Sequence, residues 1–124
     1  MAVDMTKGTA KARWNGHANV APMQQHEQYN ISGFTDNGVG DHTFEFDTDF
    51  STVNYSFFAM VGHIGGEITG GIAVTQYDSD AVARAVGSTR ISVAYGHYTS
   101  GPLSGHNFTK VDCNELDLVF FGDQ

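Results

Sequence analysis

The chain is short of the residues that usually announce a protein's chemistry. One cysteine, Cys113, stands among 124 residues, which excludes an internal disulfide framework but fixes no compartment. Cations are scarce: six Lys and Arg face 14 Asp and Glu, a formal net charge of −8. A nucleic-acid-binding chain carries a basic stripe, whereas Lys7, Lys11 and Arg13 lie near the N-terminus. Nucleic acid and anionic membrane are therefore disfavoured as partners, and the acidity is read as serving solubility. No apolar run approaches the ~18 residues of a membrane span, so no membrane insertion is expected. The opening MAVDMTKGTAKARW lacks the apolar core of a signal peptide. Synthesis in the cytoplasm without classical export is the expectation.

What the chain does have is aromatic and glycine residues. Nine Phe, five Tyr and one Trp, within a hydrophobic share of 40%, are enough for a buried core and exclude disorder by composition. Fifteen Gly against two Pro point to many glycine-made turns and an all-β chain. The length fits one domain: a short arm over residues 1–9 and a sandwich over 10–124.

Alternation along the chain gives the strands. ARWNGH, around Trp14, reads as the first. VAPMQQHEQ reads as a connection, because Pro22 disfavours a strand interior. YNISGF places Tyr29, Ile31 and Gly33 on one face, TDNGVGD turns the chain, and HTFEFD puts His42, Phe44 and Phe46 inward. Residues 30–47 are thus a half-buried hairpin. NYSFFAMVG differs: Tyr55, Phe57, Ala59 and Val61 make one apolar face, and Phe58 and Met60 make the other apolar too. Such a strand is covered either by the chain's own loops or by a partner subunit. HIGGEITGG is a glycine-rich loop without the spacing of a phosphate cradle. IAVTQY, TRISVAY and ELDLVFFG are further strands, the last with Leu116, Leu118 and Phe120 inward; DSDAVARAVG reads as a short helix or a loop. GHYTSGPLSGHNF reads as a long loop, the usual place for binding. About six to eight short strands in one antiparallel β-sandwich follow.

No catalytic constellation emerges. The six histidines at 17, 26, 42, 63, 97 and 106 include no pair spaced to share one strand or helix face, so they are read as surface or capping residues and no metal or other cofactor is assigned. The Asp47–Asp49 and Asp78–Asp80 pairs do not meet the calcium-loop pattern. Asp112 and Glu115 beside Cys113 would raise its thiol pKa, and no Gly-x-Ser-x-Gly elbow is present. A non-enzyme is expected. The aromatic residues Tyr77, Tyr98 and Phe108, with His97, are the candidates for contacting a sugar or protein receptor. Phe58 and Met60 are the candidates for a subunit interface.

The order of the pieces carries a resemblance. Trp14-Asn15-Gly16, Tyr29-Asn30-Ile31, the turn from Thr35 to Asp41, Phe44 and Phe46, Asn54-Tyr55 and the closing Val119 to Gly122 resemble a C-terminal module of phage tail fibres, found in phages and prophages of marine and other Gram-negative bacteria. The likeness covers residues 11–62 and the last strand well, and residues 63–114 poorly. It implies a homotrimeric β-sandwich virion protein at a fibre tip, in contact with other phage tail or capsid proteins. There it would bind a host surface glycan or outer-membrane protein without catalysis. Tail fibres carry a long shaft before this module, whereas the chain starts almost at it. If residues 1–124 are the full gene product, that implies a separate tip subunit or, alternatively, a small decoration protein clamping neighbouring capsid or tail subunits. A small depolymerase is the third reading. The loops at 63–71 and 96–108 would point outward in an adhesin.

Overall fold

A computed structural model describes residues 9–20, 22–62, 72–77, 84–98 and 106–124. Ten strands are formed there: β1 (Ala12–His17), β2 (Gln24–Tyr29), β3 (Ile31–Gly38), β4 (Asp41–Phe46), β5 (Ser56–Val61), β6 (Ile72–Tyr77), β7 (Arg84–Ala85), β8 (Ser88–Tyr98), β9 (His106–Lys110) and β10 (Leu116–Phe121). They make two antiparallel sheets. The first runs β2-β1-β10-β5; the second runs β3-β4-β8-β6, with β7 and β9 also paired to β8. The count exceeds the six to eight expected. Part of the excess is QQHEQY, which forms an edge strand starting two residues after Pro22, where the missing amide no longer matters.

The inward alternation of each strand follows its apolar residues. Trp14 of β1 and Leu116, Leu118 and Phe120 of β10 are fully buried on one side, and Phe44, Phe46, Ile91 and Val93 on the other. Aromatic rings lock the two sheets face to face. Trp14 meets Phe44 and Phe34 at centroid distances of 5.0 and 5.5 Å, and Phe120 meets Phe46 at 5.2 Å. Burying one such side chain stabilises by roughly 1.5–3 kcal/mol, and each ring pair adds about 0.5–1.5 kcal/mol beyond area. Phe50 and Tyr55, stacked at 4.5 Å, fill the end of the core between β4 and β5. The Tyr55 hydroxyl lies 2.9 Å from the carbonyl of Ser88 and 3.1 Å from that of Ala85, tying this plug to the β7–β8 turn.

Asn30 moves the chain from one sheet to the other in a single residue. Its φ of 54° is left-handed, a conformation Asn tolerates better than most side chains. Its amide donates to the carbonyls of Lys11 and Thr48, and its side-chain oxygen accepts from the Thr48 amide at 2.6 Å. Tyr29 therefore ends β2 on the first sheet, exposed, while Ile31 starts β3 on the second, buried. The single face expected for Tyr29, Ile31 and Gly33 is corrected by this crossing.

β8 organises the second sheet because it is long enough to pair with two strands along each edge. One edge holds β4 over residues 88–92 and then β9 over 94–98; the other holds β7 and then β6. Gly40 sits at the joint between β4 and β9. Its φ is +60°, its carbonyl accepts from the Val93 amide at 2.9 Å and its amide donates to Asp112 at 2.7 Å.

Candidate functional site

The outward side of the first sheet is the surface that the strand register assembles most clearly. Reading across the paired positions gives a row Phe58–Val119–Arg13–Tyr29 and, beside it, Met60–Asp117–Asn15–Glu27. Phe121, opposite Ser56, extends the apolar side. Phe58 is 69% exposed and Met60 63%, although both lie on a strand whose alternate residues Phe57, Ala59 and Val61 pack against the core. β5 is also the last strand in its sheet order. An apolar outer stripe on such a strand invites pairing with another surface. Both interface candidates thus stand where a partner can reach them.

Arg13 borders the stripe. Its guanidinium contacts Asp117 at 3.2 Å and Glu27 at 3.0 Å, so both acids of the second row share one cation. The hydrogen bond to Asp117, then the charges of Asp117 and Glu27, raise the Arg13 pKa. The face is therefore apolar at its β5 side and carries an ion-paired charge cluster toward β1 and β2.

The receptor candidates fall on the second sheet, and the long loop expected over residues 96–108 is corrected to strand at both ends. His97 and Tyr98 belong to β8 and Phe108 to β9, with Gly96 opposite Phe108, His97 opposite Asn107 and Tyr98 opposite His106. The backbones of these three residues therefore lie on consecutive rows of the pair. Tyr77 is not among them: it ends β6 opposite Ile91, five rows and about 17 Å along β8 from Gly96. Residues 63–71 and 99–105, and the arm before residue 9, lie outside the described residues.

Two titratable groups that invite catalytic readings are buried. The Cys113 thiol is enclosed in the core, and burial pushes its pKa up to about 12, so it stays protonated and non-nucleophilic. His42 is fully buried on β4 between sheets. Another set went unseen in the sequence. His17, His26 and Glu115 lie on three neighbouring strands or strand ends and converge, although Glu115 is far from the two histidines in the chain and no single element carries all three. Their proximity arises from register alone; the only hint is that a hairpin centred near residues 20–22 would bring positions 17 and 26 close. No family model matches the chain, and no curated protein or solved structure matches it.

Proposed function

We propose that this chain is a non-enzymatic β-sandwich module that self-associates through the outer face of its first sheet and serves as a phage virion subunit of the tail-fibre type. The observation that carries the reading is the pair Phe58 and Met60, exposed side by side on β5 next to Val119 and Phe121 of β10. A free subunit would leave this stripe in water. A second copy offers the same stripe, and burying it against another recovers about 25 cal/mol per Å² of apolar surface. The trimer and the virion role rest on the resemblance of residues 11–62 and 119–122 to the tail-fibre module. In this reading the β8–β9 hairpin, bearing His97, Tyr98 and Phe108, is the end offered to a host surface glycan or outer-membrane protein.

Sedimentation equilibrium of the wild type and of a Phe58→Ser, Met60→Ser variant tests the assembly. The expected outcome is a trimer for the wild type and a monomer with an unchanged circular dichroism spectrum for the variant. A wild type that stays monomeric to ~100 μM, well above the affinity range of specific interfaces, sinks self-association. Density for the protein in an intact virion tests its place: three-fold copies at a fibre tip support the adhesin. Copies spread over capsid or tail tube, with the β8–β9 end against neighbours, would replace the adhesin by the decoration reading.

A further inference from the structure

The structure assigns a second site on the same sheet, and we propose that His17, His26 and Glu115 bind a divalent transition-metal ion of the zinc type. One ligand atom from each of the three side chains lies within 4.8 Å of the others. The backbone dictates this meeting. Gly16 pairs with Leu116, so the next residues outward, His17 and Glu115, are cross-strand neighbours. The register between β1 and β2 shifts between Asn15 and Gly16, whose partners are Glu27 and Gln25, leaving His26 as the extra residue of a bulge. Bulges re-aim side chains; here the His26 ring stands edge-on to the His17 ring at a centroid distance of 4.4 Å.

The backbone beside His17 and Glu115 is fixed, and the His17 ring is oriented, while the tips of His26 and Glu115 are exposed. The Glu115 carbonyl accepts from the Gly62 amide at 2.8 Å, and the Ala18 amide donates to the Cys113 carbonyl at 3.2 Å. His17 Nδ1 contacts the Asn114 carbonyl. A carbonyl can only accept, so the proton sits on Nδ1 and the lone pair on Nε2, the way a backbone carbonyl orients a ligating imidazole. Asn114 is itself held by the Asn19 side-chain amide at 2.6 Å. His26 and Glu115 are exposed, so their tips can close on an ion. Metal–ligand distances near 2.1 Å set ligand atoms roughly 3.4 Å apart in a tetrahedron, so the separations of up to 4.8 Å need close by no more than about 1.4 Å.

Charge and ligand type decide what fits. Asp117 and Glu27, on the same face, are both taken up by Arg13. Among the described residues, no lysine or arginine pairs with Glu115, whose carboxylate lies 3.9 Å from the protonated Nδ1 side of His17. The carboxylate is thus left facing two imidazoles. Two nitrogen donors with one oxygen favour zinc, cobalt, nickel or copper over calcium and magnesium, which take oxygen ligands. Three protein ligands leave a coordination position open for water or for a donor from a bound partner.

Isothermal titration of the full chain with zinc chloride is the test, beside His26→Ala, Glu115→Gln and the control Glu45→Gln, which removes an exposed acid on the second sheet. One ion per chain is expected. Each ligand variant should bind at least about tenfold more weakly, since losing even an outer-shell partner costs 10–100-fold, while the control binds as the wild type does. Cobalt added in place of zinc should give a visible absorption band that His26→Ala abolishes. His26 lies on an exposed edge strand, so its variant keeps the fold, which circular dichroism checks. Absence of binding overturns the proposal, as does a stoichiometry set by acidic residues in general or equal affinity in wild type and His26→Ala.

Discussion

Replacing His42 by Leu should raise stability at neutral pH and flatten its loss in mild acid. His42 is fully buried, and among the described residues neither ring nitrogen has a hydrogen-bond partner. Its nearest acid, Asp36, is 3.7 Å from Nδ1, too far for a hydrogen bond. Burial pushes the imidazole pKa below its ordinary value of 6.5, outweighing the opposing charges of Asp36, Asp112 and Asp41. Above that value the ring is neutral in both states and adds no pH dependence. Below it, the unfolded chain takes up a proton that the folded chain refuses, so stability falls with pH until the folded value is reached. At ~1.4 kcal/mol per pH unit, the wild type should lose at most about 2 kcal/mol through this group on going from pH 7.5 to about pH 5. Leu fills a similar volume and removes unpartnered polar atoms, which adds up to about 1 kcal/mol at neutral pH. Urea unfolding of both proteins at the two pH values gives the difference directly, because the other titrating groups are common to both. Parallel pH profiles for wild type and His42→Leu would refute the reasoning.

Gly40→Ala should destabilise by at least about 2–3 kcal/mol in the same unfolding assay, since a left-handed φ alone costs an Ala 1–2 kcal/mol. The added Cβ would also collide with the Val93 carbonyl and lie 2.6 Å from the Val111 amide. A loss below 1 kcal/mol would mean that the β4–β9 joint can open without consequence. Asp41→Asn should cost about 2 kcal/mol: the carboxylate holds Arg90 at 2.7 and 2.8 Å and Lys110 at 3.3 Å, and the partial exposure of both cations discounts the pairs. The Arg90 hydrogen bond, opposed by burial and helped by Lys110, holds this carboxyl below its ordinary value of 3.8. Its contribution is therefore present above that pH and disappears as pH falls through the lower folded value, a limb that the Asn variant should lack in acid titration.

Strands whose apolar residues alternate were legible in the sequence. HTFEFD and ELDLVFFG are β4 and β10, with Phe44, Phe46, Leu116, Leu118 and Phe120 inward, because burial on one face writes a period of two into the residues. NYSFFAMVG likewise gave Phe58 and Met60 as outward and apolar. Less legible was whatever lacks a buried face. QQHEQY is polar and exposed throughout, so its strand character comes from pairing with β1 and leaves no hydrophobic trace. The ends of β8 and β9 flank a Gly- and Ser-rich stretch, and backbone pairing across a hairpin extends further than side-chain preferences reveal.

Phe58 and Met60 were legible, whereas the place of Tyr29 in their row and the meeting of His17, His26 and Glu115 were hidden for one shared reason. Period-two reasoning holds only while the chain stays in one sheet, and Asn30 breaks it by crossing between sheets through one left-handed residue. That crossing puts Tyr29 at the end of the Phe58–Val119–Arg13 row rather than beside Ile31. The bulge at His26, opposite Asn15 and Gly16, breaks it again within β2, turning His26 toward His17. At each place one residue's departure from regular geometry decides which side chains become neighbours, and the neighbours come from strands distant in sequence. The outer face of the first sheet thus acquires an apolar stripe at its β5 edge and a nitrogen-rich cluster near its β2 edge. If the stripe is covered by another copy, the open coordination position at His17, His26 and Glu115 remains on the same face, and a metal ion there would add a directional contact to an otherwise non-directional apolar one.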